Sequence, residues 1–161
     1  MSVFFISDLH LGHKNILNFS PCRFGRNIDE HDEWIVSQWN SVVNKKDLVY
    51  VLGDVCFSGD KLNLFREMNG NKILIRGNHD RFQTSLYLKF FSQVYGIIKK
   101  YDFWISHAPI HPQELRGKRN IHGHVHSNSI PDERYINVSV EALNAVPVSL
   151  EDLRKKCCNE R

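Results

Sequence analysis

The chain of 161 residues is 42% hydrophobic and 24% charged and carries a net charge of +3, which suits one folded domain and excludes a disordered or fibrous chain. Its pI near 8.7 lies below the values above roughly 9 that mark dedicated nucleic-acid-binding domains. The first apolar run, residues 3–6, is shorter than a secretory core of roughly 7–15 residues or a membrane span of roughly 20, so a cytoplasmic protein with no membrane partner is expected. Cys22, Cys56, Cys157 and Cys158 have no C-x-x-C spacing and are expected to stay reduced.

In chain order, apolar runs of strand length cover 3–7, 48–52, 72–75, 103–106, 119–121 and 135–140, and continuous runs of this kind suit strands covered on both faces. A helix is predicted over 29–44, where Ile35, Trp39, Val42 and Val43 share one face and an acidic first turn complements the helix dipole. A second helix is predicted over 60–68, with Leu62, Phe65 and Met68 at three-residue spacing and Gly70 placed to end it, and a third over 84–91. The polar 157–161 tail is expected to fray. This alternation predicts an α/β chain, either open or a layered α/β/β/α sandwich, with no linker or internal repeat.

Five of the predicted strands stop at chemistry-bearing residues: Asp8-Leu9-His10, Gly53-Asp54, Gly77-Asn78-His79-Asp80, His107 and Gly123-His124-Val125-His126. Open α/β sheets bind ligands beyond the carboxyl ends of their strands, so these segments are expected to converge on one site. Carboxylates, a carboxamide and imidazoles form a mixed N/O set that suits Mn, Fe, Co, Ni or Zn. Gly53, Gly77 and Gly123 are expected to supply freedom in φ at tight turns.

These motifs, in this order, resemble the calcineurin-like metallophosphoesterase family, with its D-x-H, G-D, G-N-H-[DE], lone H and G-H-x-H blocks. The match spans residues 3–126, and residues 137–141 and 147–150 are similar to the ending of small prokaryotic or phage-type members. The resemblance implies a four-layer α/β/β/α sandwich in a single domain, residues 1–161, without a cap domain. It implies one metal on Asp8, His10 and His126, a second on Asn78, His107 and His124, and Asp54 bridging both; two divalent ions are expected, Mn favoured, with Fe, Zn, Ni or Co as alternatives. Two such ions bring four positive charges, which Asp8, Asp54 and a bridging hydroxide reduce by three, leaving about one to draw in a phosphate.

The implied reaction is direct in-line attack by that hydroxide, with His79 stabilising the transition state and protonating the leaving oxygen, and Asp80 orienting the His79 ring. The second block reads Gly53-Asp54-Val55-Cys56 and the third ends in Asp80, unlike the G-D-x-V-D-R-G and G-N-H-E of the protein-phosphatase branch. An open site then favours a phosphodiesterase on a nucleotide-like small molecule, with nucleic acid as a possible substrate. The alternatives are a phosphomonoesterase, a dinucleotide hydrolase, a non-catalytic metal-binding scaffold or a nucleic-acid-binding module.

Other residues carry weaker readings. His13, Arg76 and Arg81 flank the motifs and are candidate substrate contacts, since an arginine fork matches phosphate oxygens. His111 and His122 are equally compatible with hydrogen-bonded loop positions. His31, in a charged helical turn, is expected to be solvated, as are the scattered arginines Arg23 and Arg26. Trp34, Trp39 and Trp104 are expected to pack, and Cys56 to be buried.

Overall fold

The computed structural model describes residues 1–159. In chain order the elements are β1 (Val3–Ile6), α1 (Ile16–Phe19), α2 (Ile28–Val42), β2 (Leu48–Val51), a 3-10 helix (Gly59–Arg66), β3 (Asn71–Ile75), α3 (Thr84–Tyr87), β4 (Gln93–Tyr95), β5 (Ile97–Lys100), β6 (Phe103–Ser106), a 3-10 turn (Pro112–Glu114), β7 (Arg119–His122), β8 (Tyr135–Asn137), α4 (Val140–Leu143), β9 (Val148–Ser149) and α5 (Leu150–Asn159). They form two sheets, one ordered β4-β3-β2-β1-β9 and the other β5-β6-β7-β8. β1 to β4 run parallel, as do β6 to β8, while the edge strands β9 and β5 are antiparallel.

The period of two along each strand decides what lies on either side of the first sheet. Phe4, Ile6, Val49 and Val51 face Ile35, Trp39 and Val43 of the α2 face, together with Leu62 and Phe65. Phe5, Tyr50, Leu52 and Ile73 face the other way and meet Phe103, Ile105 and Ile121 of the second sheet. Beyond that sheet, residues 110–115 form a thin outer layer: Trp104 Nε1 donates to the Leu115 carbonyl, the Ile110 amide to Asn120 Oδ1 and the Tyr135 hydroxyl to the Ile110 carbonyl. The layered α/β sandwich expected from the sequence is therefore present.

Several elements differ from expectation. The 60–68 segment is a 3-10 helix rather than an α-helix, and its apolar spacing explains why. Residues three apart eclipse in a 3-10 helix, which puts Leu62 and Phe65 on one buried side. Only Thr84–Tyr87 of the 84–91 segment is α-helical. The strand predicted over 135–140 stops at Asn137, and Val140 opens α4 instead. Far from fraying, Cys157 and Cys158 lie in α5, whose Leu150, Leu153 and Cys157 pack against the inter-sheet core; Glu160 and Arg161 lie outside the described residues. Among the described residues, no helix is long and apolar enough to cross a membrane.

Candidate metal centre

Because β1, β2 and β3 are parallel, and β6 and β7 likewise, the loops after these five strands leave the sandwich at common ends and carry every motif residue. The backbone there is unusual. Asp8, His10, Asp54, His124 and His126 have φ between 52° and 70°, a left-handed conformation in which Asp and His are enriched yet which still costs energy. Such a turn brings the Asp8 and His10 side chains to within 3.8 Å of one another, where an extended chain would hold them on one face but about 6.6 Å apart along the strand. Gly53, at φ 87°, meets the expectation of conformational freedom, whereas Gly77 and Gly123 are there for close approach. A Cβ on Gly77 would lie 2.3 Å from Asp54 Oδ1, and one on Gly123 would lie 2.3 Å from Asp8 Oδ2.

Two groups of side chains could each hold an ion: Asp8, His10 and His126, and Asp54, His107 and His124. In the first, His10 Nε2 and His126 Nε2 both lie 3.8 Å from Asp8 Oδ1. Asp8 Oδ2 accepts from the His124 amide and the Ser139 hydroxyl, but Asp8 Oδ1 and both ring nitrogens of His10 are buried without a protein partner. Buried polar atoms are normally paired, so Asp8 Oδ1 and His10 Nε2, both unpartnered and 3.8 Å apart, fit a cation held by both. Burial alone would raise the Asp8 carboxyl, yet the His10 and His107 rings and the His124 amide hold it well below the usual carboxylate range. Burial, opposed by Asp8, lowers His10 and so favours the neutral imidazole that binds metals.

In the second group, His107 Nε2 lies 2.8 Å from Asn78 Oδ1, 3.2 Å from His124 Nδ1 and 3.5 Å from Asp54 Oδ2. Donor atoms around one ion at bond lengths of ~2.0–2.2 Å stand about 2.8–3.1 Å apart in octahedral and about 3.3–3.6 Å apart in tetrahedral geometry, the range of these spacings. His107 Nδ1 donates to the Leu52 carbonyl at 2.7 Å, which turns Nε2 toward the cluster. Asp54 Oδ2 also lies 3.8 Å from His10 Nε2, so one oxygen stands between the two groups, while Oδ1 accepts from the His79 amide at 2.9 Å. Asn78, a carboxamide, thus joins the second group.

A cleft of about 440 Å³ opens over the first group, lined by His10, His13, Phe19, Phe57, His79 and His126 among others. His13 lies in it, 4.2 Å from the Phe57 ring, centre to centre. Phe57 and Phe19, which sequence reasoning missed, are 41% and 72% exposed. His79 stands 5.3 Å from Phe57 with Nδ1 unpartnered.

Other expectations need correction. Asp80 does not orient the His79 ring, because its carboxylate accepts from the backbone amides of Asp54, Val55 and Gly77 and so ties two ligand loops together. Arg76 is no free phosphate fork: it donates to the carbonyls of Asp80 and Phe82 and to Thr84, and covers the Tyr87 ring. Arg81 is exposed and does not line the cleft. His31 is buried rather than solvated, between Arg23 and Asp32. His111 caps the 3-10 turn by accepting from the Gln113 amide, and His122 is a buried donor to the Gly123 carbonyl. Cys56 is buried as expected, its thiol pushed up to about 12 chiefly by burial. The largest omission is Arg23 with Glu141, an ion pair whose side chains are 0% and 1% exposed and whose carboxylate accepts from His126 Nδ1. The one available signal was Glu141 itself, a carboxylate just after a strand-like run, as at the other motifs.

The model of calcineurin-like phosphoesterases matches residues 1–146. The chain belongs to that family. This calcineurin-like phosphoesterase is 36% identical to an uncharacterized protein of Methanocaldococcus jannaschii, over 92% of this chain and 87% of the other. It is 31% identical to Gene 66 protein of Mycobacterium phage L5, over 88% and 87%. A crystal structure of a protein of unknown function from Aquifex aeolicus superposes with a TM-score of 0.78 at 27% identity, covering 96% of this chain and 98% of that one. The family supports metal-dependent phosphoester hydrolysis, and its small archaeal and phage relatives match the type that the sequence resembles.

Proposed function

We propose that this phosphoesterase is a phosphodiesterase acting on nucleotide-like substrates, with Asp8, His10 and His126 as ligands of one divalent ion, Asn78, His107 and His124 as ligands of a second, and Asp54 shared. Manganese is the favoured metal for this N/O donor set, and four free cysteines support a cytoplasmic setting. When bound, the two ions supply Lewis acidity toward phosphate oxygens and lower the pKa of water. His79, in the same cleft, donates a proton to the leaving oxygen, and Asp80 keeps the Asp54 and Asn78 loops in register.

The observation that carries the diester reading is the aromatic wall. Phe57, His13 and Phe19 form a continuous set of rings, with His13 centred 4.2 Å from Phe57 and 5.8 Å from Phe19. The wall flanks the first ligand group, where the second ester substituent of a diester would lie, and a base stacked on an aromatic ring gains about 1–3 kcal/mol. A monoester has no such substituent.

The test is hydrolysis of bis-p-nitrophenyl phosphate and p-nitrophenyl phosphate by metal-stripped protein with Mn²⁺ restored, beside an Asp54→Asn control. Metal-dependent turnover favouring the diester, abolished in the control, is the expected result. Preference for the monoester would replace this reading with a phosphomonoesterase.

A further inference from the structure

We infer that the buried Arg23–Glu141 pair is the positioning device of one metal site, the Asp8–His10–His126 site, and of that site alone. The inference rests on the two-metal reading above and adds Arg23 and Glu141, which lie outside the five strand-end blocks.

Arg23 reaches the site from the loop between α1 and α2. Its Nη2 donates to the Asp8 carbonyl at 2.7 Å and its Nη1 to the Leu9 carbonyl at 3.0 Å. These carbonyls lie in the segment that carries the Asp8 and His10 side chains in left-handed backbone. The other edge of the guanidinium, through Nε and Nη2, meets Glu141 Oε1 at 2.8 Å. That oxygen also accepts from Ser20 Oγ at 2.8 Å and from His126 Nδ1 at 2.9 Å. One ion pair therefore grips the backbone beside two candidate ligands and the ring of the third.

A proton fixed on His126 Nδ1 leaves Nε2 as the lone-pair nitrogen, and Nε2 is the atom that faces Asp8 Oδ1. The second site is built differently. His107 is oriented by a neutral acceptor, the Leu52 carbonyl, and neither Arg23 nor Glu141 bonds to Asp54, Asn78, His107 or His124 among the described contacts. Stability does not explain the pair, because a buried ion pair commonly contributes no more than a well-packed apolar pair of the same volume. A role in holding ligands does.

The experiment is calorimetric titration of metal-stripped protein with Mn²⁺, comparing wild type with Glu141→Gln and with the double variant Arg23→Met/Glu141→Met. The double variant removes both charges together, so no unpaired buried charge is left to unfold it. Wild type is expected to bind two ions. In both variants one site is expected to weaken by about 10–100-fold while the other is unchanged. Long-range ¹H–¹⁵N spectra of the metal-free protein at alkaline pH give a second readout that a purely structural role would not move. Wild-type His126 should carry its proton on Nδ1, and the double variant should show the Nε2–H form. Equal weakening of both sites, unchanged affinity at both, or a His126 tautomer that does not respond would overturn the inference. Uptake of fewer than two ions by wild type would instead overturn the two-metal reading, and the inference with it.

Discussion

His79 differs from the candidate ligand imidazoles in one respect that fixes its expected behaviour. Its backbone amide donates to Asp54 Oδ1 at 2.9 Å, so its position is tied to the shared carboxylate, yet its ring belongs to neither metal-holding group. Replacing the ring should leave metal binding intact and remove a proton donor. His79→Ala is expected to retain both ions by elemental analysis while kcat falls about 10²–10⁴-fold on a substrate with a poor leaving group. On a p-nitrophenyl ester, whose leaving group needs little protonation, the loss should be smaller; equal losses on both would assign His79 to another role. At this scale the sequence was informative for the ligands, because each lies within four residues of a strand end and short motifs survive without knowledge of the fold. It was uninformative for Arg23 and gave for Glu141 only its place after a strand-like run, and nothing links the two, which sit 118 residues apart. Only the closed sandwich shows that an arginine with the composition of surface charge is fully buried.

Among the elements, α2 shows how local chemistry and packing agree. Asn27 accepts from the Asp29 and Glu30 amides as an N-cap, and Asp29 and Glu30 stand in the first turn where the dipole favours them. Ile35, Trp39 and Val43 are all buried against β1 and β2, so this was the helix most legible in the sequence. Trp39 also donates Nε1 to the Asn69 carbonyl at 2.9 Å and meets Phe65 edge to face. Trp39→Ala should therefore cost about 3–5 kcal/mol in urea unfolding, with kcat at low temperature little changed because Trp39 lies in the helix-side core and not among the cleft residues. A loss of activity without a loss of stability would show that α2 transmits to the site. The elements that went unread are those without such agreement. β4 and β5 are three and four residues long, largely exposed, and separated by Gly96, so neither alternation nor a continuous apolar run marks them. β9 has two residues and exists only through its pairing with β1. α5 is amphipathic, but its apolar residues are few and were hidden within a tail of polar composition.

For the whole molecule, the decisive feature is that each candidate metal group draws on both sheets. Asp8 and His10 follow β1 and Asp54 follows β2, while His107 follows β6, and His124 and His126 follow β7. Metal binding would then join the two halves of the sandwich, and proton binding to the same residues should loosen them. In the metal-free protein the signs can be worked out for the Glu141–His126 contact. Burial opposes ionisation of Glu141, but His126 and Arg23 bring its carboxyl down from an ordinary 4.5 to about 2. A depressed carboxyl stabilises the fold above its unfolded value, and that stability is lost as pH falls from 4.5 toward about 2. His126 is raised above its ordinary 6.5, mainly by the bond to Glu141. Its contribution is complete below 6.5 and is lost as pH rises through its own higher value. The stability gap between metal-free wild type and Glu141→Gln should therefore be widest between 4.5 and 6.5. It should close on the acid side and narrow on the alkaline side without vanishing, because Arg23 stays charged and still needs its partner. Urea unfolding of both proteins across this range measures the gap directly. A gap that stays flat from neutral pH to pH 2 would mean that the Glu141 carboxylate is not held in its charged form by His126 and Arg23. With Mn²⁺ added, wild-type stability should fall more steeply with acid than that of the metal-free protein, because the ligand imidazoles must give up the metal to take up protons.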